Sequence, residues 1–126
     1  MNEEQQIYME QLMDNYKNPQ NVGVIEDYTY FSNFKNPTCG DKFEIYIKLD
    51  NKNKKIENVK FKGDGCAIST ASMSLFSQKL IGMNLEDAKK LTNLDVFKIL
   101  GVKISPGRIN CAMISINAFN SAIKNN

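Results

Sequence analysis

The stretch FEIYIKL, residues 43–49, contains the clearest strand pattern in the chain and sets the fold class. Apolar residues occupy every second position, namely Phe43, Ile45, Ile47 and Leu49. Because successive side chains of a strand point to opposite faces of a sheet, this period predicts a half-buried strand. One face is expected to pack on a core and the other to face solvent.

Two further strands are predicted beside this one. Residues 28–34 are aromatic and β-prone, and residues 56–61 follow a period of two except at Ile56, which indicates a β-bulge. Turn residues lie between the strands, at 36–41 and 50–53. Three sequential strands joined in this way predict an antiparallel meander.

Helical spacing of apolar residues dominates the rest of the chain. Helices are predicted over residues 3–17, 67–81, from 85, over 95–100, and from 109 onward. The last has the strongest apolar stripe, formed by Ile109, Ala112, Met113, Ile116, Phe119 and Ile123. Strands followed by helices predict an α+β fold, in which a three-stranded meander packs against an N-terminal helix and a helical C-terminal half. A chain of 126 residues is expected to form a single domain, residues 1–126.

Charge and hydropathy narrow the classes of partner. The formal charge is only +2, from 16 Lys and Arg against 14 Asp and Glu, and the one local basic excess lies at residues 51–55. Nucleic acid is therefore not an expected partner. The N-terminal residues are polar and acidic, and no apolar run approaches the length of a membrane span, so we expect a cytoplasmic protein without membrane association.

The chain has three cysteines and no histidine. In a reducing cytosol the cysteines are expected to be thiols rather than disulfides. Without histidine the chain lacks the commonest general base and a common metal ligand. Any site must therefore use thiolates, carboxylates, amines or hydroxyls. The serines of residues 69–74 have no histidine to activate them and are predicted to be close-packing or surface positions.

The three cysteines occupy special points of the predicted fold. Cys39 lies at the turn before the second strand, Cys66 opens a helix, and Cys111 lies in the first turn of the last helix. Free N–H groups at a helix start favour the thiolate form. The spacings are too wide for a local zinc motif, so a shared site requires the fold to gather three segments.

Two charged residues could complete such a site. The Asp41 carboxylate could be the fourth ligand of a tetrahedral zinc, and Arg108 could offset part of the negative charge. On spacing alone the alternative stays open that the cysteines are small buried apolar residues, Asp41 a turn residue and Arg108 a solvated cation.

Three ordered motifs then identify a family. NPTCGD at 36–41, GDGCAIS at 63–69 followed by ASMS at 71–74, and RINCA at 108–112 resemble the motifs of the IscU/SufU (NifU N-terminal-like) iron-sulfur cluster assembly family. The resemblance extends from YKNPQNVG at 16–23 to the last helix.

The resemblance implies both a fold and a set of site residues. The implied fold is α+β, with the cysteines and Asp41 clustered at one exposed tip. Cys39, Asp41, Cys66 and Cys111 are implied as the metal or cluster ligands. Cys111 is implied as the persulfide acceptor, and Arg108 matches a basic residue that gives it electrostatic support.

The implied function is sulfur acceptance from a cysteine desulfurase of the IscS, SufS or NifS type. The sulfur would support formation of a transient [2Fe–2S] cluster from bound iron, for delivery to apo iron-sulfur proteins or carriers, with Zn²⁺ in the resting site. The alternative is a SufU-like, zinc-dependent sulfurtransferase that relays sulfur without building a cluster. Both describe a scaffold or sulfur acceptor rather than a conventional enzyme. A zinc protein that only binds partners is a third hypothesis.

The sequence departs from the family pattern at three points. Asn110 stands where the scaffold branch has histidine, and the long SufU-type insertion between the second and third cysteine is missing. Residues 104–108, ISPGR, replace the Leu-Pro-Pro-Val-Lys segment that a dedicated Hsp70 binds, which counts against chaperone hand-off. The chain therefore combines SufU-like ligands with an IscU-like length.

Overall fold

A computed structural model describes residues 2–37 and 40–124 of the chain. Its three strands are β1 (Tyr30–Lys35), β2 (Lys42–Leu49) and β3 (Ile56–Asp64). They form one antiparallel sheet in the order β1-β2-β3. The helices are α1 (Glu3–Lys17), α2 (Ala67–Leu80), α3 (Leu85–Ala88), α4 (Asn93–Leu100), α5 (Ile109–Ala112) and α6 (Ile114–Lys124), with a 3₁₀ turn at Pro106–Arg108. The predicted α+β fold with a three-stranded meander is confirmed.

The alternation in β2 sets the register of the whole sheet. Its apolar residues all face inward, where Ile45 lies between Ser32 of β1 and Phe61 of β3. The register shifts between Lys48 and Leu49, whose partners are Asn58 and Ile56. The irregularity predicted at Ile56 is confirmed, and it returns that side chain to the buried face.

The core lies between the inner face of the sheet and the helices α2 and α6. Phe76 of α2 meets Phe119 of α6 edge to face, with ring centroids 6.0 Å apart. Phe43 and Phe61 of adjacent strands are packed similarly at 5.9 Å. Burial of each large apolar side chain contributes roughly 1.5–3 kcal/mol, so this layer holds the helices on one face of the sheet.

The outer face of the sheet is less exposed to solvent than the alternating sequence pattern of β2 predicts. The ring of Tyr46 in β2 lies 5.0 Å from that of Phe31 and 5.8 Å from that of Tyr28, measured between centroids. As a result, Tyr46 is buried although it points away from the main core. An aromatic cluster therefore covers part of a face that the alternation alone assigns to solvent.

The buried residues of α1 are Leu12 and Asn15. Asn15 takes the position against α2, where its Oδ1 accepts hydrogen bonds from Ser74 Oγ at 2.6 Å and Gln78 Nε2 at 2.9 Å. The contact between α1 and α2 is therefore made in part by a hydrogen-bonded amide rather than by an apolar side chain.

The C-terminal segment, predicted as one helix, is divided. Met113 separates α5 from α6 and has φ −85° and ψ −1°. At this point the Ser72 hydroxyl of α2 donates to the Ala112 carbonyl oxygen at 2.6 Å. Cys111 therefore belongs to a short helical segment that is bonded directly to α2.

None of the helices within residues 2–37 and 40–124 combines the length and the apolar character needed to cross a membrane.

Gly63 allows β3 to pass close to β2 before the chain enters α2. Its φ is +149°, and an added Cβ would lie 2.2 Å from the Lys42 carbonyl oxygen and 2.8 Å from the Phe43 Cα. We expect Gly63→Ala to lower the free energy of unfolding by about 2–4 kcal/mol, measured by urea denaturation, because backbone strain and collision combine.

The matched control for that prediction is Gly107→Ala. An added Cβ at Gly107 meets nothing within 4 Å, and its φ lies outside the left-handed region. Its free energy of unfolding should stay within about 0.5 kcal/mol of the wild-type value. Equal urea midpoints for the two variants would contradict the role given to Gly63.

Candidate metal centre

Three chain segments meet at one end of the sheet. Asp41 immediately precedes β2, Cys66 precedes α2, and Cys111 lies in α5. Their potential ligand atoms, one carboxylate oxygen and two Sγ atoms, all lie within 4.8 Å of one another. Cys39, the other predicted ligand, lies outside the described residues, two positions before Asp41.

In the β1–β2 connection, residues 36–41, the described residues on either side of the gap at 38–39 are linked through Asn36. The Asn36 N–H donates to the Asp41 carbonyl oxygen at 2.7 Å, and the Gly40 N–H donates to the Asn36 carbonyl oxygen at 3.1 Å. The buried side-chain amide of Asn36 also donates to the carbonyl oxygen of Asn110 at 3.0 Å. Asn36 therefore joins the segment that carries Asp41 to the residue preceding Cys111.

Cys66 is the N-cap residue of α2 and has an extended backbone, with φ −70° and ψ 175°. It forms no side-chain capping bond, and its thiol is half-buried. Partial burial pushes the pKa of this thiol upward, but hydrogen bonds from Ser69, Cys111 and the Ile68 backbone together outweigh that effect. The resulting pKa lies below its ordinary value, which favours the thiolate that a metal binds.

Cys111 is held by hydrogen bonds to the carbonyl groups of both its neighbours. Asn36 binds the carbonyl oxygen of Asn110, and Ser72 binds that of Ala112. The residue is only 1% exposed. The predicted sulfur acceptor is thus firmly positioned, but its Sγ is less accessible than that of Cys66.

Arg108 lies in the exposed 3₁₀ turn that precedes α5. Within residues 2–37 and 40–124 it forms no ion pair. Its predicted electrostatic support of Cys111 stays a prediction.

Ser69 is a site residue that the sequence interpretation missed. It is fully buried, and its hydroxyl donates to Oδ2 of Asp41. The same Oγ lies 3.4 Å from Cys66 Sγ. The available signal was its spacing, because residues three apart on a helix share a face and Ser69 follows Cys66 by three.

The donor atoms fit a thiophilic metal ion. Zinc bound at about 2.3 Å by sulfur and about 2.0–2.2 Å by a carboxylate places its ligand atoms roughly 3.5–4 Å apart in a tetrahedron. The observed separations of up to 4.8 Å need only a small inward movement of the side chains. Two thiols and a carboxylate, with a third cysteine two residues from the carboxylate, suit Zn²⁺ or iron better than Mg²⁺ or Ca²⁺.

Comparison with known proteins agrees with the motifs. The family model of the NifU-like N-terminal domain matches residues 7–126. The chain belongs to this family. Its membership accounts for the order and spacing of the three cysteine motifs.

Two curated relatives of this NifU-like domain carry different names. The zinc-dependent sulfurtransferase SufU of Bacillus subtilis is 34% identical over 134 residues, covering 93% of this chain and 89% of the relative. The iron-sulfur cluster assembly scaffold protein IscU of Aquifex aeolicus is 36% identical over 117 residues, covering 93% of this chain and 74% of the relative. Because coverage of this chain is equal, the longer alignment indicates that the SufU relative has residues this domain lacks.

A solved structure resembles the NifU-like domain in both sequence and fold. It is described as a putative iron-sulfur cluster assembly scaffold protein for the SUF system, from Fervidobacterium islandicum. The TM-score is 0.75 with 30% identity, and the match covers 94% of this chain and 97% of the other.

The link between Asn36 and α5 can be tested by metal affinity. We expect Asn36→Ala to weaken Zn²⁺ binding about tenfold in competition with a chromophoric chelator, because the segment carrying Asp41 loses its bond to the Asn110 carbonyl. Asn33→Ala, at an exposed position of the same strand region, is the control and should bind zinc like the wild type. Equal affinities of the two variants would show that this bond does not position the site.

Proposed function

We propose that this NifU-like domain is an iron-sulfur cluster assembly protein that accepts persulfide sulfur at a site formed by Cys39, Asp41, Cys66 and Cys111. The observation that carries the proposal is the convergence of Asp41, Cys66 and Cys111 within 4.8 Å. The names of the relatives support it, since they include both a zinc-dependent sulfurtransferase and cluster assembly scaffolds.

The four proposed ligands would hold Zn²⁺ in the resting protein. Bound zinc keeps thiols deprotonated and shields them from oxidation. The pKa of the Cys66 thiol is lowered from its ordinary value by its hydrogen bonds, which favours its thiolate. Asp41 is the hard ligand in a soft set, and therefore the one most easily released from the metal.

The proposed transfer step is a thiol exchange with a cysteine desulfurase. The Cys111 thiolate attacks the terminal sulfur of the partner's cysteine persulfide, a new S–S bond forms on Cys111, and the partner's cysteine leaves as a thiolate. The proton of the terminal sulfur stays with it, so the step needs no oxidant or reductant. Because Cys111 is 1% exposed, docking must first uncover its Sγ.

Two outcomes for the sulfur are proposed. In the first, iron enters the same ligand set and a [2Fe–2S] cluster forms for delivery to apo iron-sulfur proteins or carriers. In the second, the domain relays sulfur without building a cluster, as a zinc-dependent sulfurtransferase. The IscU relative aligns over 117 residues without the extra residues of the SufU relative, and this IscU-like length favours cluster building. Asn110 stands in place of a histidine ligand, and this SufU-like feature favours the relay.

The role of Cys111 is tested by sulfur uptake from a cysteine desulfurase charged with radiolabelled cysteine. We expect Cys111→Ser to reduce labelling of this protein at least tenfold, because the attacking thiolate is lost. Cys66→Ser is the matched control and should keep most of the uptake, although it loses a metal ligand. Wild-type labelling of Cys111→Ser would refute the assignment.

Anaerobic reconstitution with iron and sulfide distinguishes the two outcomes. Cluster building predicts a stoichiometric visible absorption in the wild type, and a longer-lived absorption in Asp41→Ala because the labile carboxylate ligand is removed. The relay predicts no stable absorption alongside tight zinc binding. Cluster absorption that persists in Cys66→Ser and Cys111→Ser alike would contradict both.

A further inference from the structure

We propose that Ser69 is a positioning residue of the metal centre. Its hydroxyl holds Oδ2 of the Asp41 carboxylate against α2 and so sets the orientation in which this carboxylate meets the metal. This inference rests on the proposed metal site and assigns the residue that determines how the carboxylate binds there.

The geometry places Ser69 between two proposed ligands. Its hydroxyl donates to Oδ2 of Asp41, which lies 28 residues away in the sequence, and its Oγ is 3.4 Å from Cys66 Sγ. Ser69 is 0% exposed and Asp41 is 7% exposed. Solvent therefore competes little for this hydrogen bond, and a charged acceptor makes it one of the stronger kinds.

One proton cannot serve both neighbours of Ser69. A metal-bound Cys66 thiolate is a weaker hydrogen-bond acceptor because the metal withdraws its charge. A carboxylate that binds the metal through one oxygen can still accept a hydrogen bond on its other oxygen. The hydroxyl is therefore expected to stay on Oδ2 of Asp41 in the loaded site. A carboxylate held in this way donates a single oxygen, which keeps a zinc with three thiolates four-coordinate.

A second serine of α2 extends the same support. Ser72, one turn after Ser69, donates to the Ala112 carbonyl oxygen at 2.6 Å and lies 2.7 Å from Ser115 Oγ. One face of α2 therefore holds Asp41 through a side chain and the region of Cys111 through its backbone. The β1–β2 connection, which carries Asp41, and α5, which carries Cys111, are thus both bonded to the same helix.

Ser74 provides a matched control on the same helix. It is as buried as Ser69, but its hydroxyl donates to Asn15 Oδ1 at 2.6 Å and accepts from the Gln20 N–H at 2.8 Å. Ser74→Ala therefore removes an equally buried hydroxyl without touching Asp41 or Cys66.

The first test measures Zn²⁺ affinity by competition with a chromophoric chelator. We expect Ser69→Ala to bind zinc 10–100-fold more weakly than the wild type, the usual effect of losing a partner of a metal ligand. Ser74→Ala should stay within about twofold of the wild type. Equal affinities of Ser69→Ala and Ser74→Ala would overturn the inference.

Cobalt substitution separates positioning from general loosening of the fold. In Co²⁺-loaded Ser69→Ala we expect the ligand-field bands to shift as they do in Asp41→Ala, while the thiolate-to-cobalt charge-transfer intensity stays at the wild-type level. Loss of charge-transfer intensity would mean that Ser69 supports the whole site rather than Asp41, and would overturn the inference.

A double-mutant cycle completes the test. With Asp41→Ala already present, adding Ser69→Ala should change the zinc affinity by less than about twofold, because its target is gone. A full additional loss would overturn the inference. Failure of the wild type to bind zinc would overturn the proposed metal site as well, whereas normal wild-type binding with an unaffected Ser69→Ala would overturn only the role of Ser69.

Discussion

Three hydrogen bonds join the β1–β2 connection, α2 and α5 into a closed triangle, and the proposed metal centre depends on these bonds. Ser69 of α2 holds the Asp41 side chain, Asn36 of the connection holds the Asn110 carbonyl, and Ser72 of α2 holds the Ala112 carbonyl. Each bond links segments that are distant in sequence, so together they fix the relative positions of the three proposed ligand residues Asp41, Cys66 and Cys111. All the donors are buried, where hydrogen bonds are little weakened by competition with water. The sheet and the core support these three segments, but the hydrogen bonds set the relative positions of Asp41, Cys66 and Cys111 at the end of the sheet.

The same arrangement balances protection of the thiols against access to them. Cys111 is enclosed and Cys66 is half-buried, so oxidants reach neither sulfur freely. Asp41 is the proposed ligand whose own side chain accepts a hydrogen bond from α2, through Ser69. In the proposed site, release of Asp41 from Ser69 would loosen the connection from α2, whereas loss of the Cys66 or Cys111 thiolate would leave that bond in place. In this view the Asp41 carboxylate is the ligand that dissociates from the metal when the site opens. The hydrogen bond from Ser69 slows that dissociation.

The sequence predicted those features that depend on local periodicity. Alternation in β2 established the sheet, and the stripe through Ala112, Ile116 and Phe119 established the C-terminal helical layer. The break at Met113 was not predicted because the contact there comes from Ser72 of another helix. In the site, helix starts and motif order indicated Asp41, Cys66 and Cys111, which the structure brings together. Ser69 was missed because its function depends on a partner 28 residues away. Its three-residue spacing from Cys66 places it near that thiol but does not reveal Asp41 as its partner, whereas the hydroxyl of Ser74 bonds to Asn15.

The most direct measurement of the metal centre is zinc X-ray absorption spectroscopy on the purified, zinc-loaded protein. Three cysteines and one aspartate predict three sulfur atoms at about 2.3 Å and one oxygen at about 2.0–2.2 Å from the metal. A shell with two or fewer sulfur atoms, or with a carboxylate bound through both oxygens, would contradict the site as described. Four ligands in the ratio of three sulfurs to one oxygen would establish it.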